Sequence, residues 1–385
     1  MRKTLQRTAL TGGVAVVTLT GTLAPAGAAA PAWRIVHTNT AKTVGPDTNV
    51  LADITAIGAK DVWTVGSVSR NAGQYNHSLA QHWNGTKWTD TTLPVQFRKS
   101  NTIASGLNVV ASSSSKNVWA FGSSGPVNGA SRSQYALHWD GKHWTVAHSW
   151  KTWSWIYKAV VLSPTNVWAF SGAGDTFGAW HFDGKTWTKV KTPGFQVITA
   201  SAVSPTNIWA VVSKPTARTD DGRFVARYNG HAWSLVKTPD IPGTWEDTPE
   251  YNAVHAQSSK DVWVVGGRQI TTSTDGQVAP IALHWNGTEW QRFDGPLGAH
   301  NLAGLYSVVP DGKGGIWGTR GSFYEGDPVH LVGGKWTATA LPKVKGKAVS
   351  VEKLAHVPGT TSIWGAGLLT WGGLPDTNGV VFKYS

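Results

Sequence analysis

Three features of this 385-residue chain predict an all-β fold, a seven-bladed β-propeller with four antiparallel strands per blade. The first is a short polar turn followed by Asp or Asn, then Val or Ile, then Trp. It ends at Trp63, Trp119, Trp168, Trp209 and Trp263, with degenerate copies at Trp317 and Trp364, so the copies lie 56, 49, 41, 54, 54 and 47 residues apart. The second is a string that follows each of the first six copies: AQHWNGTKW (80–88), ALHWDGKHW (136–144), AWHFDGKTW (179–187), ARYNGHAW (226–233), ALHWNGTEW (282–290) and VHLVGGKW (329–336). The third is a mismatch between the ends. The seventh copy stops at a third strand, VVFKYS (380–385), while AWRIVH (32–37) reads as an orphan fourth strand. The N-terminal strand is therefore expected to close the last blade, which protects the sheet edges. A chain with no Cys must hold itself together by topology and core alone.

The fifth copy shows how each blade is read. Tyr251 to Gln257 forms the first strand, and Ser258-Ser259-Lys260-Asp261 supplies side chains that cap a tight turn. Val262 to Gly266 is the second strand. A polar loop leads to the third, Ile281 to Trp285, and the fourth begins near Trp290. Asn286-Gly287 between them is expected to form a two-residue type I′ hairpin, which needs φ > 0 at both positions. Asp140-Gly141, Asp183-Gly184 and Asn229-Gly230 repeat that chemistry.

The N-terminus belongs to a different regime. Arg2, Lys3 and Arg7 precede an apolar run from Ala9 to Leu23, and small residues fill positions 24 to 30. Residues 1–28 read as a secretory signal peptide cleaved after Ala28, leaving 29–385 as a single propeller domain. Losing those three cations takes the formal charge from +12 to +9. A basic exported protein is drawn to anionic surfaces such as acidic glycans or wall polymers. No basic-aromatic motif points to nucleic acid, and no later window is apolar enough to span a membrane.

The propeller accounts for 17 of the 23 Trp as packing residues on the second, third and fourth strands. The repeated His82, His138, His181, His284 and His330, with Arg227 in the fourth copy, are likewise read as structural. No His-x-x-x-His or carboxylate spacing completes a zinc site, and no cofactor is expected. Six Trp remain: Trp150, Trp153, Trp155, Trp180, Trp245 and Trp371. They fall on or beside the face formed by the second-to-third-strand loops and the connections between blades, which vary in length and chemistry. Variable loops on a rigid scaffold are where binding sites are built. Exposed Trp suits sugar rings, whose C–H faces stack on aromatics. Arg70, Asn76, Arg132, Asp175, Glu246, Asp247 and Arg268 are candidate polar partners.

Enzyme chemistry is not expected. The FDGKTW turn (182–187) superficially resembles a sialidase turn, but its Asp and Gly are adjacent. No carboxylate pair stands out for glycoside hydrolysis, and no nucleophile has an evident base.

The repeat [DN]-[VI]-W-x-[VF]-G … H-W-[ND]-G-x-x-W resembles the Trp-rich propellers exported by actinobacteria, over nearly all of the chain after its N-terminal segment. That resemblance implies a lectin-like module recognising surface or wall glycans. Some relatives are thought to be the carbohydrate-recognition parts of secreted toxin particles of the umbrella type, which implies a protein partner in a toxin complex. A protein-interaction scaffold and a propeller polysaccharide lyase or hydrolase are the alternatives.

Overall fold

A computed structural model describes residues 30–39, 48–70, 75–128, 132–152, 154–172, 178–214, 223–241, 249–269, 277–294, 300–301, 304–321, 326–370 and 377–385. Seven antiparallel sheets follow one another along the chain, and each is ordered first to fourth strand. The first strands are Thr48–Gly58, Ile103–Ser114, Ile156–Ser163, Gln196–Ser204, Pro249–Ser258, Leu305–Pro310 and Ala348–His356. Each touches the first strand of the next blade, and the seventh touches the first, so together they ring a central channel. The chain is a seven-bladed β-propeller.

Closure follows the sequence expectation. Trp33–Thr38 lies antiparallel to Thr377–Tyr384, with Trp33 opposite Tyr384 and Ile35 opposite Phe382, and completes blade seven. Asn49, wholly buried on the first blade, stitches the seam. Its Nδ2 donates to the Asn39 carbonyl (2.8 Å) and to Asn378 Oδ1 (3.2 Å), and its Oδ1 accepts from the Gly379 N–H.

Seven apolar clusters fill the gaps between neighbouring blades. Their centrepieces are the second-strand Trp, five of which meet a fourth-strand Trp of the following blade edge to face. Trp63 meets Trp144 (5.5 Å between centroids), Trp119 meets Trp187 (5.8 Å), Trp209 meets Trp290 (6.0 Å) and Trp364 meets Trp88 (5.8 Å). Rings of this size bury on the order of 200 Å² each, and T-shaped pairs add to that.

The Asp or Asn of the motif has a defined task. Asp61 Oδ1 accepts both the Trp63 indole N–H (3.1 Å) and His82 Nε2 (2.8 Å), while the His82 ring stacks on Trp63 at 4.2 Å. Asn117 does the same for Trp119 and His138, both at 2.9 Å. In blade four Arg227 replaces the His, donates to Asn207 (2.8 Å) and lies over the Trp209 ring. His82, His138, His284 and His330 are thus hydrogen-bonded partners lying against the second-strand Trp, whereas His181 lies against Trp168 without a hydrogen bond to its Nε2. Burial pushes His138 and His181 below the ordinary histidine range, so both imidazoles are neutral at physiological pH.

Two details differ from the sequence reading. Strands run further toward the variable face than their apolar residues suggest: in blade five they span Pro249–Ser258, Asp261–Gln269 and Gln277–Trp285, and His300–Asn301 pairs as an added strand. Cross-strand N–H and C=O groups keep pairing after side-chain burial ends. The hairpin at Asn286-Gly287 is a four-residue loop between the paired Trp285 and Trp290, not a two-residue turn. Asn286 Oδ1 accepts the N–H groups of Thr288 and Glu289, and Gly287 takes φ 102°. The side-chain cap makes the longer loop stable.

Candidate binding site

Every first strand carries the same irregularity near its entry on the variable face. Its register against the second strand skips one residue: Ala52, Asn108, Tyr157, Ile198, Asn252, Tyr306 and Glu352 in blades one to seven. A bulge sets two residues against one partner and turns consecutive side chains to one side. Burial shows this in blade three, where Ile156 and Ala159 are buried while Tyr157 is exposed and Lys158 half-exposed. Blade seven repeats it, with Glu352 and Lys353 open between buried Val351 and Leu354. The scaffold thus repeats one bulge seven times, and at it Tyr157, Tyr306 and Lys353 are exposed while Val109, Ala253 and Ser307 are buried.

Two aromatic residues dominate the blade-three rim. Of the twenty described Trp, Trp155 alone is exposed, at 44%, and Tyr157 two positions on is 49% exposed. The Trp155 carbonyl accepts the Gly172 N–H at 3.1 Å, which anchors this segment to the end of the second strand. A Cβ on Gly172 would lie 2.2 Å from Tyr157 Cε2 and 2.4 Å from Gln196 Nε2. Glycine there lets the ring lie flat against the strand end with an amide donor beside it.

Blades four to six supply a polar arc. Arg223 donates from Nη2 to Glu250 (2.7 Å), and from Nη1 to the Tyr251 carbonyl (3.2 Å) and to Asn252 Oδ1. Tyr306, 40% exposed, has its phenol pushed up by burial and the nearby Glu250 charge, with Arg223 opposing. The rim thus carries exposed aromatic faces beside fixed donors and acceptors, a combination suited to a polyhydroxylated ligand.

The sequence-predicted site residues scatter against this geometry. Trp150 is a core residue, 6% exposed, packed edge-on against Trp187 (5.2 Å) and Trp180 (5.8 Å). Trp180 is half-buried in the same cluster. Arg132 and Arg268 are half-buried, and Arg268 has its own partner. Trp153, Trp245 and Trp371 lie outside the described residues, as do Asp175, Glu246 and Asp247, and only the backbone of Arg70 is described. Sequence reasoning missed Tyr157, Gln196, Arg223, Asn252 and Tyr306. Tyr157 was within reach, since it closes the same aromatic stretch as Trp155.

Among the described residues, no group of three or more His, Asp or Glu is placed to hold a metal ion, and no helix is long and apolar enough to cross a membrane. No family model matches the sequence, and neither does any curated protein. Solved structures do. The fold is similar to YCF48 from Cyanidioschyzon merolae, with TM-score 0.50 and 15% identity over 92% of this chain and 98% of that one. The RRP9 WD40 repeats give TM-score 0.54 and 11% identity, again over 92% and 98%. A prolyl endopeptidase gives TM-score 0.50 and 17% identity over 83% of this chain and 45% of that one. At such identities the likeness concerns the fold: the chain is a Trp-rich seven-bladed β-propeller.

Proposed function

We propose that this propeller is a non-catalytic glycan-binding module, with the sugar ring laid on Trp155 and Tyr157 at the variable-face mouth of the channel. The observation that carries the reading is the exposure of these two rings in a chain that packs its other described Trp away. Stacking on sugar C–H faces is a partner chemistry that covers both rings and also uses Gln196 and the Arg223–Asn252 arc. The basic charge and the N-terminal segment favour an exported protein that meets cell-surface or wall glycans. On the resemblance to exported Trp-rich propellers, it acts as the targeting part of a larger secreted toxin complex.

A glycan array followed by titration of the hits tests this. Trp155→Ala and Tyr157→Ala should each weaken binding about tenfold while leaving the thermal melt unchanged, since a lost aromatic contact is worth on the order of 1–2 kcal/mol. Full affinity in the double variant would sink the reading. A protein partner pulled down in stoichiometric amount, and retained in excess sugar, would instead favour the scaffold.

A further inference from the structure

The corner where blade three meets blade four holds a donor that the packing leaves idle. Trp155 stands out between buried Ser154 and Ile156, and the blade-three bulge turns Tyr157 to solvent beside it. Gln196 opens the first strand of blade four, opposite Ser213. Phe195 and Val197 on either side of it are buried, so its own side chain is directed away from the core. The Phe195 carbonyl accepts the Thr192 hydroxyl at 2.8 Å, which fixes the approach to this strand. Among the described residues, no hydrogen bond engages the Gln196 side chain.

Gly172 brings the two blades' side chains together. Its N–H donates to the Trp155 carbonyl at 3.1 Å. A Cβ placed on it would lie 2.2 Å from Tyr157 Cε2, 2.8 Å from Tyr157 Cζ and 2.4 Å from Gln196 Nε2. Ring edge and amide nitrogen therefore converge on the space that any other side chain would occupy. An amide donor against an aromatic ring discriminates between sugar substituents. A hydroxyl can accept the hydrogen bond but leaves the ring uncovered. An acetamido group carries both partners in one planar unit: a carbonyl for the amide and a methyl for the ring.

We propose that Gln196, Tyr157 and Gly172 form an acetamido subsite, and that the glycan contains an N-acetylated amino sugar. Gln196 Nε2 donates to the acetamido carbonyl, Tyr157 takes the methyl, and the sugar ring rests on Trp155. Gly172 is a positioning residue that keeps ring and amide side by side. This rests on the glycan reading above.

Calorimetric titration with a chitin oligosaccharide and the cellulose oligosaccharide of equal length tests it, because the two differ only in an acetamido group against a hydroxyl. The chitin oligomer should bind about tenfold tighter, the worth of one hydrogen bond and one buried methyl. Gln196→Glu places an acceptor where the donor was and should bind the two oligomers alike. Gly172→Ala should weaken the chitin oligomer, and that loss should vanish once Tyr157 is already Ala, which separates positioning of the ring from damage to the fold. Equal binding of the two oligomers by the wild type, or a preference that survives Gln196→Glu, overturns the subsite and leaves the glycan reading standing. Full affinity in Gly172→Ala, or a loss undiminished in the Tyr157→Ala background, overturns the positioning role. Binding of neither oligomer overturns the subsite, and a blank glycan array overturns the parent reading with it.

Discussion

Replacing Asp61 separates the two ways in which the repeated motif could hold a blade. Its Oδ1 bridges the Trp63 indole N–H (3.1 Å) and His82 Nε2 (2.8 Å), and Trp63 is wholly buried. Asp61→Ala orphans a buried N–H, at about 1–3 kcal/mol, and loses the bond to His82, at about 1 kcal/mol. The sum is about 2–4 kcal/mol. Asp61→Asn keeps an oxygen in the same place. Blade two is the control already present in the molecule, since Asn117 makes both bonds at 2.9 Å without a charge. We therefore expect Asp61→Asn to cost below about 1 kcal/mol. Urea denaturation followed by Trp fluorescence at neutral pH reads both variants against wild type. Equal losses for Asn and Ala would show that charge pairing with His82, and not the bridging oxygen, holds the ring. No loss for Ala would show that stacking alone suffices.

Three further outcomes are expected. Asn49→Ala removes the polar knot at the closure seam and should cost on the order of 2–4 kcal/mol, read by the same denaturation; a neutral result would mean that the Trp33–Thr38 strand pairing alone holds the ring shut. Burial, reinforced by Lys158 and His356 against Asp261, lowers His255 from 6.5 to about 4. The native state then binds fewer protons than the unfolded chain between those values, so stability falls as the pH drops through that window. His255→Gln should flatten the fall in melting temperature over that range, and parallel curves for variant and wild type would refute the assignment. Mass spectrometry of protein recovered from culture medium should find a chain beginning at Ala29; intact Met1 would remove the export reading.

The fold was legible because its packing unit is also a sequence unit. Asp61-Val62-Trp63 and His82 meet in one hydrogen-bonded stack, so the constraint recurs wherever the stack does and writes itself into each copy. Trp33 was legible as an orphan for the same reason: it occupies the fourth-strand place beside Trp317, at 5.4 Å, that other copies fill from within their own blade. Turn length was not legible, because Asn-Gly serves both a two-residue hairpin and the capped four-residue loop at Asn286, and the choice depends on pairing across Trp285 and Trp290. Counting surplus Trp failed at Trp150, which lies six residues beyond the core Trp144 on the same strand. A register shift after Val146 turns Trp150 to the opposite face from Trp144, into the cluster between blades two and three.

The site was harder to read for a reason inherent in the architecture. Its defining element, the bulge, is a relation between two strands and leaves no local pattern; Ala52, Asn108, Ile198 and Glu352 share no chemistry, yet occupy the same place. Selection on packing acts on all seven blades alike and produces repetition. Selection on one ligand acts on the few blades it touches and produces differences at fixed register. In a propeller, then, the informative comparison is between blades at one structural position. Applied to the bulge, it singles out the exposed rings of Tyr157 and Tyr306, in blades three and six. If these rings serve one ligand, substitutions in blades three and six should couple: the cost of Trp155→Ala for a bound glycan should shrink once Tyr306 is already Ala, since a sugar no longer held at one ring ceases to lie fixed on the other. Strictly additive losses in that double-mutant cycle would mean that the two rings serve separate ligands.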